Sequence, residues 1–571
     1  PSISLESSSL PSEIQGTPEP DTLTGGFGDD TIYGNGGNDE IDGQAGSDVI
    51  YGGEGDDVII GNFGDDDLFG EGGNDTITDD QGANYIDGGE GDDTLSSRSI
   101  SGNHTLIGGS GEDYISGTGE ILYIDGGEGQ DILNIYGYVQ NEGVNNYLSS
   151  GEAIVLAGGG NDYIYSESFM NVNVRGGEGD DSFNSYGTSS KWEEMVVFYG
   201  EEGNDSASLD RTKNIELSGG LGLDNFYISE FLSGIISGGE DDDYVYVSNG
   251  GNISVSGDDG NDSIDSYGNV SSSIYGGKGN DQLKLTFSSN NFYNYSQLYD
   301  SVSFERDEDG KLINQPISFL EGGEGDDILT IIGDQTSIWN AYDANIEASG
   351  GEGDDTIKII DNYAGVVGRS GQEYGFNRAQ IDGGSGQDNI SVSGVLNASI
   401  TTGLGSDTVT LTAQQFRTIE EGNRNKTIYD WDPVNGDQYR EILYAEVNAI
   451  TVTDFTAGSS GDIIDYGDLL RNGGTSYDGS NPFAGGFLNL EQSGEDTLIK
   501  FDKDGKDGSE SEGITVAILK NVQASSLVAD NFNPNFPPDG SPAKSQELVG
   551  TSESDILTGG FGNDLIYGNG G

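Results

Sequence analysis

The chain contains no cysteine and a single histidine, His104, in 571 residues. The first absence excludes a disulfide framework, and the two together leave a structural zinc site or any soft-metal centre without ligands. Positive charge is scarce as well: 22 Lys and Arg stand against 101 Asp and Glu, a formal net charge of -79. A field of that sign repels phosphate, which argues against a nucleic-acid partner. No apolar run approaches the ~20 residues that cross a bilayer, so no transmembrane segment is expected. The start at Pro1, without Met or a signal-like stretch, reads as a mature form or an excerpt. Only 32% of residues are hydrophobic, a composition close to that of disordered chains, where little apolar surface opposes strong self-repulsion. No G-x-S-x-G, H-E-x-x-H or P-loop pattern occurs. His104, in the stretch SGNHTLIGG beside a Gly-rich turn, reads as an exposed loop residue rather than a catalytic base.

Against disorder stands a strict period of nine. From Gly25 to Thr78 the chain reads GGFGDDTIY, GNGGNDEID, GQAGSDVIY, GGEGDDVII, GNFGDDDLF and GEGGNDTIT. The sixth position is always aspartate: Asp30, Asp39, Asp48, Asp57, Asp66 and Asp75. Two places on comes Ile32, Ile41, Ile50, Ile59, Leu68 or Ile77. A nine-residue period is neither helix nor alternating strand; it predicts a coil that turns, extends and turns again. Glycine permits the tight turn, the aspartates line it with carboxylates, and the aliphatic residue points inward. Order in so acidic a chain requires something that neutralises carboxylates, and a hard divalent cation held by oxygen is the natural candidate.

These nonapeptides resemble the calcium-binding RTX repeat G-G-x-G-x-D-x-U-x. The resemblance implies a parallel β-roll in which two nonapeptides close one lap of about 18 residues, with calcium between successive turns, shared by aspartates of neighbouring laps. Fourteen further copies begin near Gly88, Gly108, Gly126, Ala157, Gly176, Gly200, Gly219, Gly238, Gly257, Gly276, Gly322, Gly350, Gly383 and Thr402. Their sixth residues are Asp93, Asp113, Asp131, Asp162, Asp181, Asp205, Asp224, Asp243, Asp262, Asp281, Asp327, Asp355, Asp388 and Asp407; Asp564 belongs to a last copy. From Gly200 to Gly276 the copies recur every 19 residues, so one turn per lap keeps the Gly/Asp chemistry and the opposite turn is expected to be an ordinary loop. Longer spacings, such as Gly276 to Gly322, predict a loop inserted on the edge without glycine. Leu223 at position five, the missing fourth-position Gly in GGEDDD, and Ala157 and Thr402 at position one mark laps expected to bind calcium weakly or to turn without it.

The expected fold is all-β: a parallel β-roll or β-helix solenoid with calcium-binding turns, plus a small β-rich capping module. Residues 1–20 read as a linker, 21–78 as the tandem roll, 79–414 as the extended parallel β-helix and 415–448 as a connector bearing Arg417, Arg424, Lys426, Trp431 and Arg440. Residues 449–532 resemble the module near the type I secretion end of many RTX proteins, through Asp454-Phe455, Asp462 to Leu470, Asn481-Pro482-Phe483, Asp496-Thr497-Leu498 and the Asp502-Lys503-Asp504-Gly505 loop. That loop reads equally as a further calcium site or a plain hairpin turn. Residues 533–549 read as a second linker and 550–571 as the start of a second roll: they repeat residues 16–37 at 17 of 22 positions, offset by 534.

This combination is expected of an extracellular structural protein, not an enzyme, secreted to the cell surface and self-associating end to end into a fibre, surface layer or adhesin-type array. Multiple Ca2+ ions are the expected cofactor, and a surface polysaccharide is a further partner the reading allows. The repeat and carrier region of a secreted enzyme or toxin is the alternative; a β-helix enzyme acting on polysaccharide is third. Type I secretion is implied by the resemblance alone.

Overall fold

The structure, a computed structural model, describes residues 2–4, 9–99, 102–141, 144–147, 151–187, 192–288, 317–334, 343–361, 375–422, 426–432, 436–442, 448–508, 513–543, 545, 547–554, 556–557 and 564–569. The chain divides into two compact units, Pro1–Ser263 and Ile264–Gly571.

In the first unit the nine-residue period becomes a coil of two parallel ladders. Thr31–Gly36, Val49–Glu54, Asp67–Gly72 and Tyr85–Glu90 stack in one ladder. Thr22–Thr24, Glu40–Asp42, Val58–Ile60 and Thr76–Asp79 stack in the other. The register shift is 18 residues, so Ile32, Ile50, Leu68 and Ile86 lie over one another. Because side chains alternate across a strand, the eighth position faces inward, and Ile32, Ile41, Ile50, Ile59, Leu68 and Ile77 are wholly buried. The same two interior columns run on through Leu106, Ile124, Val155 and Val174, and through Leu95, Ile115, Leu133 and Ile164. Outside, the rings of Tyr33, Tyr51 and Phe69 stack at 5.1 and 4.9 Å, nearly parallel.

The coil starts earlier than the expected boundary at residue 21. Glu13–Gln15 pairs with Thr31–Tyr33, and Ile14 is buried. A lap demands only one inward aliphatic side chain and free backbone groups, which the Ser- and Pro-rich composition supplies.

The first unit also changes cross-section. One edge carries Asp30, Asp48 and Asp66 in successive laps, and then the column runs Asn84, His104, Leu122, Ala153, Val172, Val196 and Ile215. The acidic edge has turned apolar. In two laps beyond it the opposite turn is a sharp bend within a continuous strand of 16 residues, Ser206–Leu221 and Asn225–Glu240, whereas in the next lap the expected short loop, residues 249–251, separates Tyr244–Ser248 from Asn252–Asp259. Arg211 and Glu230 sit at the bends with φ of 63° and 52°, a left-handed conformation that a single residue can hold.

His104 is a correction. It is 2% exposed in the strand Asn103–Ser110, with Nδ1 3.3 Å from the Asn84 N–H and 3.1 Å from the Ser97 hydroxyl. It occupies the position of a sixth-position aspartate one lap beyond Asn84, so the turn buries it.

The second unit is the same coil with longer excursions. Ile317–Glu324, Asp343–Glu352, Gly375–Ser385 and Val395–Thr401 form one parallel ladder, and Gln282–Ser288, Ile328–Asp334, Thr356–Asp361, Asn389–Ser393 and Thr408–Leu411 the other. The insertion expected between Gly276 and Gly322 lies outside the described residues from 289 to 316. A helix, Ala413–Gly422, follows the last motif lap, and Phe416 meets Phe501 edge-on at 4.7 Å. Lys426–Asp432 and Gly436–Ile442 form an antiparallel hairpin, and Arg424 lies outside the described residues.

Residues 450–533 continue the coil instead of merely abutting it. Ile450–Val452 pairs with Val395–Thr401 and Ile463–Asp465 with Thr408–Leu411. Ile514–Leu519 and Phe532–Asn533 add one more lap. The hairpin Leu488–Ser493 and Asp496–Phe501 then pairs antiparallel with Ile514–Leu519, which ends the run of parallel laps on that ladder.

Candidate metal centre

The sixth-position aspartates form columns. In the first unit twelve bonds of 2.7–2.8 Å, each from a backbone N–H to Oδ1 of the next lap's aspartate, join Asp21, Asp39, Asp57, Asp75, Asp93, Asp113, Asp131, Asp162, Asp181, Asp205, Asp224, Asp243 and Asp262 in order. Asp30, Asp48 and Asp66 make the short column on the other edge. In the second unit Asp281, Asp327, Asp355, Asp388, Asp407 and Asp462 are linked in the same way at 2.7–3.2 Å. Asp564 stands half-buried before the strand Leu565–Tyr567, and residues 558–563 of its turn lie outside the described residues.

With Oδ1 engaged, Oδ2 is left over. In Asp39, Asp48, Asp57, Asp75, Asp93, Asp113, Asp131, Asp162, Asp181, Asp205, Asp224 and Asp243, and again in Asp327, Asp355, Asp388 and Asp407, Oδ2 is buried without a hydrogen-bond donor. Buried polar atoms are almost always satisfied, so a regular file of exceptions points to a ligand. The glycines show where it fits. A Cβ built on Gly108 would lie 2.3 Å from Oδ2 of Asp113 and 2.4 Å from the carbonyl oxygen of Gly126 one lap on. At Gly322 the same distances, to Asp327 and to Gly350, are 2.2 and 2.4 Å. A carboxylate oxygen and a carbonyl oxygen thus border one small space that glycine keeps open.

Among the described residues no three His, Asp or Glu side chains converge. The donor set is therefore part carboxylate and part main-chain carbonyl, all oxygen, which suits a calcium-sized ion of flexible coordination better than magnesium with its strict octahedron.

A second ladder, on the fifth position, runs in the opposite sense. Ser47 N donates to Asp29 Oδ1, Asn74 N to Asp56 Oδ1, Asp92 N to Asn74 Oδ1 and Glu112 N to Asp92 Oδ1, at 2.9–3.0 Å. The Asp and Asn so frequent at that position are interlap acceptors. Asp21 and Asp462 were missed as column members because Pro18, Pro20 and Ser460 obscure the glycine pattern; the aliphatic residues Leu23 and Ile464 two places on were the available signal. In GGEDDD, Asp241 adopts the fourth-position conformation with φ of 78°, and Asp243 keeps its place in the column.

Burial foremost, and in most cases the neighbouring column carboxylates as well, push these acids up, against the lowering effect of the N–H bonds. Asp75, Asp113, Asp205 and Asp327 reach about 6. Asp48, Asp57, Asp93, Asp131, Asp224, Asp355 and Asp407 reach about 7. Asp181 and Asp243 reach about 8. A carboxyl raised on folding holds its proton in the coil where the unfolded chain has released it. Its stabilisation of the metal-free coil is complete below the ordinary carboxylate value near pH ~4, and is lost as pH climbs through the folded values of 6 to 8. Chelated protein is therefore expected to keep more β-structure at pH 5 than at pH 8, while calcium affinity rises over the same interval as protons cease to compete. Circular dichroism at both pH values checks this, and equal spectra for the chelated protein would contradict it.

The columns, their oxygen donors and the two parallel ladders define a β-solenoid whose turns bind metal. Residues 15–50, 42–77, 69–98, 101–120, 271–284 and 547–571 match the family of the RTX calcium-binding nonapeptide repeat. The chain carries RTX repeats, and calcium is the ion that such repeats bind, in multiple copies. No curated protein matches the chain.

Proposed function

We propose that this chain is a unit of an extracellular, calcium-stabilised structural protein, assembled end to end into a cell-surface fibre, surface layer or adhesin-type array, and that it has no catalytic role. The observation that carries the reading is the internal repeat. Residues 550–571 repeat 16–37 at 17 of 22 positions. Glu547–Val549 pairs with Leu565–Tyr567 in the register in which Glu13–Gln15 pairs with Thr31–Tyr33, displaced by the same 534 residues. A coil that restarts in this way supports a repeating array, since solenoid stability comes from neighbouring laps. Proteins with RTX repeats are typically secreted, and calcium, scarce inside cells and plentiful outside, would delay folding until export. Among the described residues, the buried sixth-position aspartates belong to the columns, Asp361 accepts from the Phe376 N–H, and Glu193 is enclosed by the hydroxyls of Ser166, Ser185 and Thr212.

Electron microscopy of native material tests the reading. Filaments or sheets that persist in calcium and come apart in chelator are expected. Dispersed single particles in calcium, with a separate catalytic domain on the same polypeptide, would instead favour a carrier region.

A further inference from the structure

The short edge ends through a graded change of acceptor. The Asp48 N–H donates to Asp66 Oδ1 at 2.7 Å, the Asp66 N–H to Asn84 Oδ1 at 3.1 Å, and the Asn84 N–H to His104 Nδ1 at 3.3 Å. Leu122 stands next in the register and has no side-chain acceptor. His104 is therefore the last acceptor of that edge, at the lap where the two-edged roll passes into the single-edged coil.

Its neighbours hold the imidazole in one state. A main-chain N–H can only donate, so Nδ1 carries no proton and the ring's one proton sits on Nε2. The Ser97 hydroxyl lies 3.1 Å from the same Nδ1; a hydroxyl can rotate to suit either state of the ring, and the amide cannot. Asn84, Ser97 and His104 are all buried. A Cβ on Gly119 would lie 2.6 Å from Cδ2 of the ring, so the imidazole fills the space that glycine leaves beside it. A proton on Nδ1 would set two donors against each other, strand the Asn84 N–H without an acceptor and enclose a positive charge.

We infer that His104 is an acid-sensitive clasp between the roll and the coil. Neutral, it holds the lap of Asn84 against its own lap. Protonated, it lets go, and the junction opens while the laps on either side stay stacked. Burial pushes the His104 pKa below the ordinary histidine value, against the Ser99 main chain and the charge of Asp65, which favour the proton. Arg98 and Glu120, which flank the adjoining strands Thr94–Ser97 and Ile121–Glu128, are exposed. Asp79, paired with Ser97 from the preceding lap, is hydrogen-bonded to Asp66, and burial holds its carboxyl well above the usual range. The stability that neutral His104 contributes is complete above the ordinary histidine value near pH ~6.5, and is lost as pH falls through the lower folded value. Its sense is opposite to that of the column aspartates: the acidity that lets a chelated column close by protonation releases this clasp. The inference depends neither on assembly into a fibre nor on which ion the columns hold.

The test uses the whole chain in excess calcium. His104 is the only histidine, so 15N-histidine labelling gives one ring to follow by NMR. The expected result is a proton on Nε2 at pH 8 and a titration midpoint below that of the same histidine in the denatured chain. Hydrogen exchange is then compared at pH 8 and pH 5 for residues 84–98 and, as a control, 113–133. Protection of the first segment is expected to fall about tenfold more than that of the second, the loss of one buried hydrogen bond. In His104→Asn, which keeps an acceptor and cannot ionise, the two segments are expected to change alike. In His104→Leu, which starts the apolar file one lap early, the first segment is expected to be weakly protected at both pH values. The tautomer and midpoint are read on the parent chain, so that arm survives a variant that fails to fold. A proton on Nδ1 at pH 8, or a midpoint at or above the denatured value, would overturn the inference. So would an equal loss of protection in the parent and in His104→Asn, which would assign the acid response to the aspartates.

Discussion

Chelation of calcium at pH 8 is expected to abolish the β-signal of this protein and expand the chain severalfold in volume. In the first unit the long column sets thirteen aspartates in register, joined by twelve bonds from backbone N–H to the next carboxylate. Laps are stacked at about 4.8 Å. Adjacent unit charges at that distance repel by about 1–3 kcal/mol at effective dielectrics between 80 and 20. Over a dozen neighbouring pairs this is on the order of 10–40 kcal/mol, more than the ~5–15 kcal/mol that usually separates a folded domain from its unfolded chain. Protonation relieves the repulsion near pH 5, which is why the chelated protein should differ between the two pH values. At pH 8 only the cation remains. Circular dichroism and small-angle scattering, with calcium and then with excess chelator, measure both changes. A β-signal and radius unchanged by chelation at pH 8 would remove calcium from the account of what holds the laps together.

The parts of this fold that were legible in the sequence are those where one residue type does one job at a fixed place. Asp113 lines a turn and Ile115 fills the interior two residues later, and each can be read without knowing the neighbouring lap. The parts that were not legible depend on what lies in the lap above or below. Arg211 and Glu230 carry the left-handed bends of the non-glycine edge, yet nothing in their identity announces a turn. His104 was read from its polar surroundings as exposed, but the register makes it the successor of Asn84 in a column that is turning apolar. The fifth-position acceptors were visible as a preference for Asp and Asn, but their purpose appears only when Asp92 is seen to accept from Glu112 one lap on. The resemblance of residues 449–532 to a terminal module gave no hint that Ile450–Val452 and Ile463–Asp465 extend the two ladders.

Among single substitutions, Gly129→Ala is expected to be among the most damaging. Gly129 holds φ of 139°, and a Cβ there would lie 1.6 Å from the carbonyl oxygen of Gly111 in the preceding lap. Neither atom belongs to a flexible side chain. Relief requires the two laps to part, which breaks the bond from Gly111 N to Glu128 O, 2.8 Å long, and displaces the turn that carries Asp131. The left-handed backbone alone costs an alanine about 1–2 kcal/mol. Overlap with a fixed backbone atom adds strain of the kind that places a mutation in the rare range above ~4 kcal/mol. Gly494→Ala separates the two contributions: it shares the left-handed backbone, φ 67°, but has nothing within 4 Å of its Cβ. That variant is expected to lose only the backbone contribution of about 1–2 kcal/mol. Thermal unfolding at fixed free calcium should therefore show a large drop for Gly129→Ala and a small one for Gly494→Ala, and the calcium midpoint for folding should rise markedly only in the first. Comparable losses in the two variants would mean that backbone conformation alone selects glycine at position four, and that the laps can separate locally at little cost.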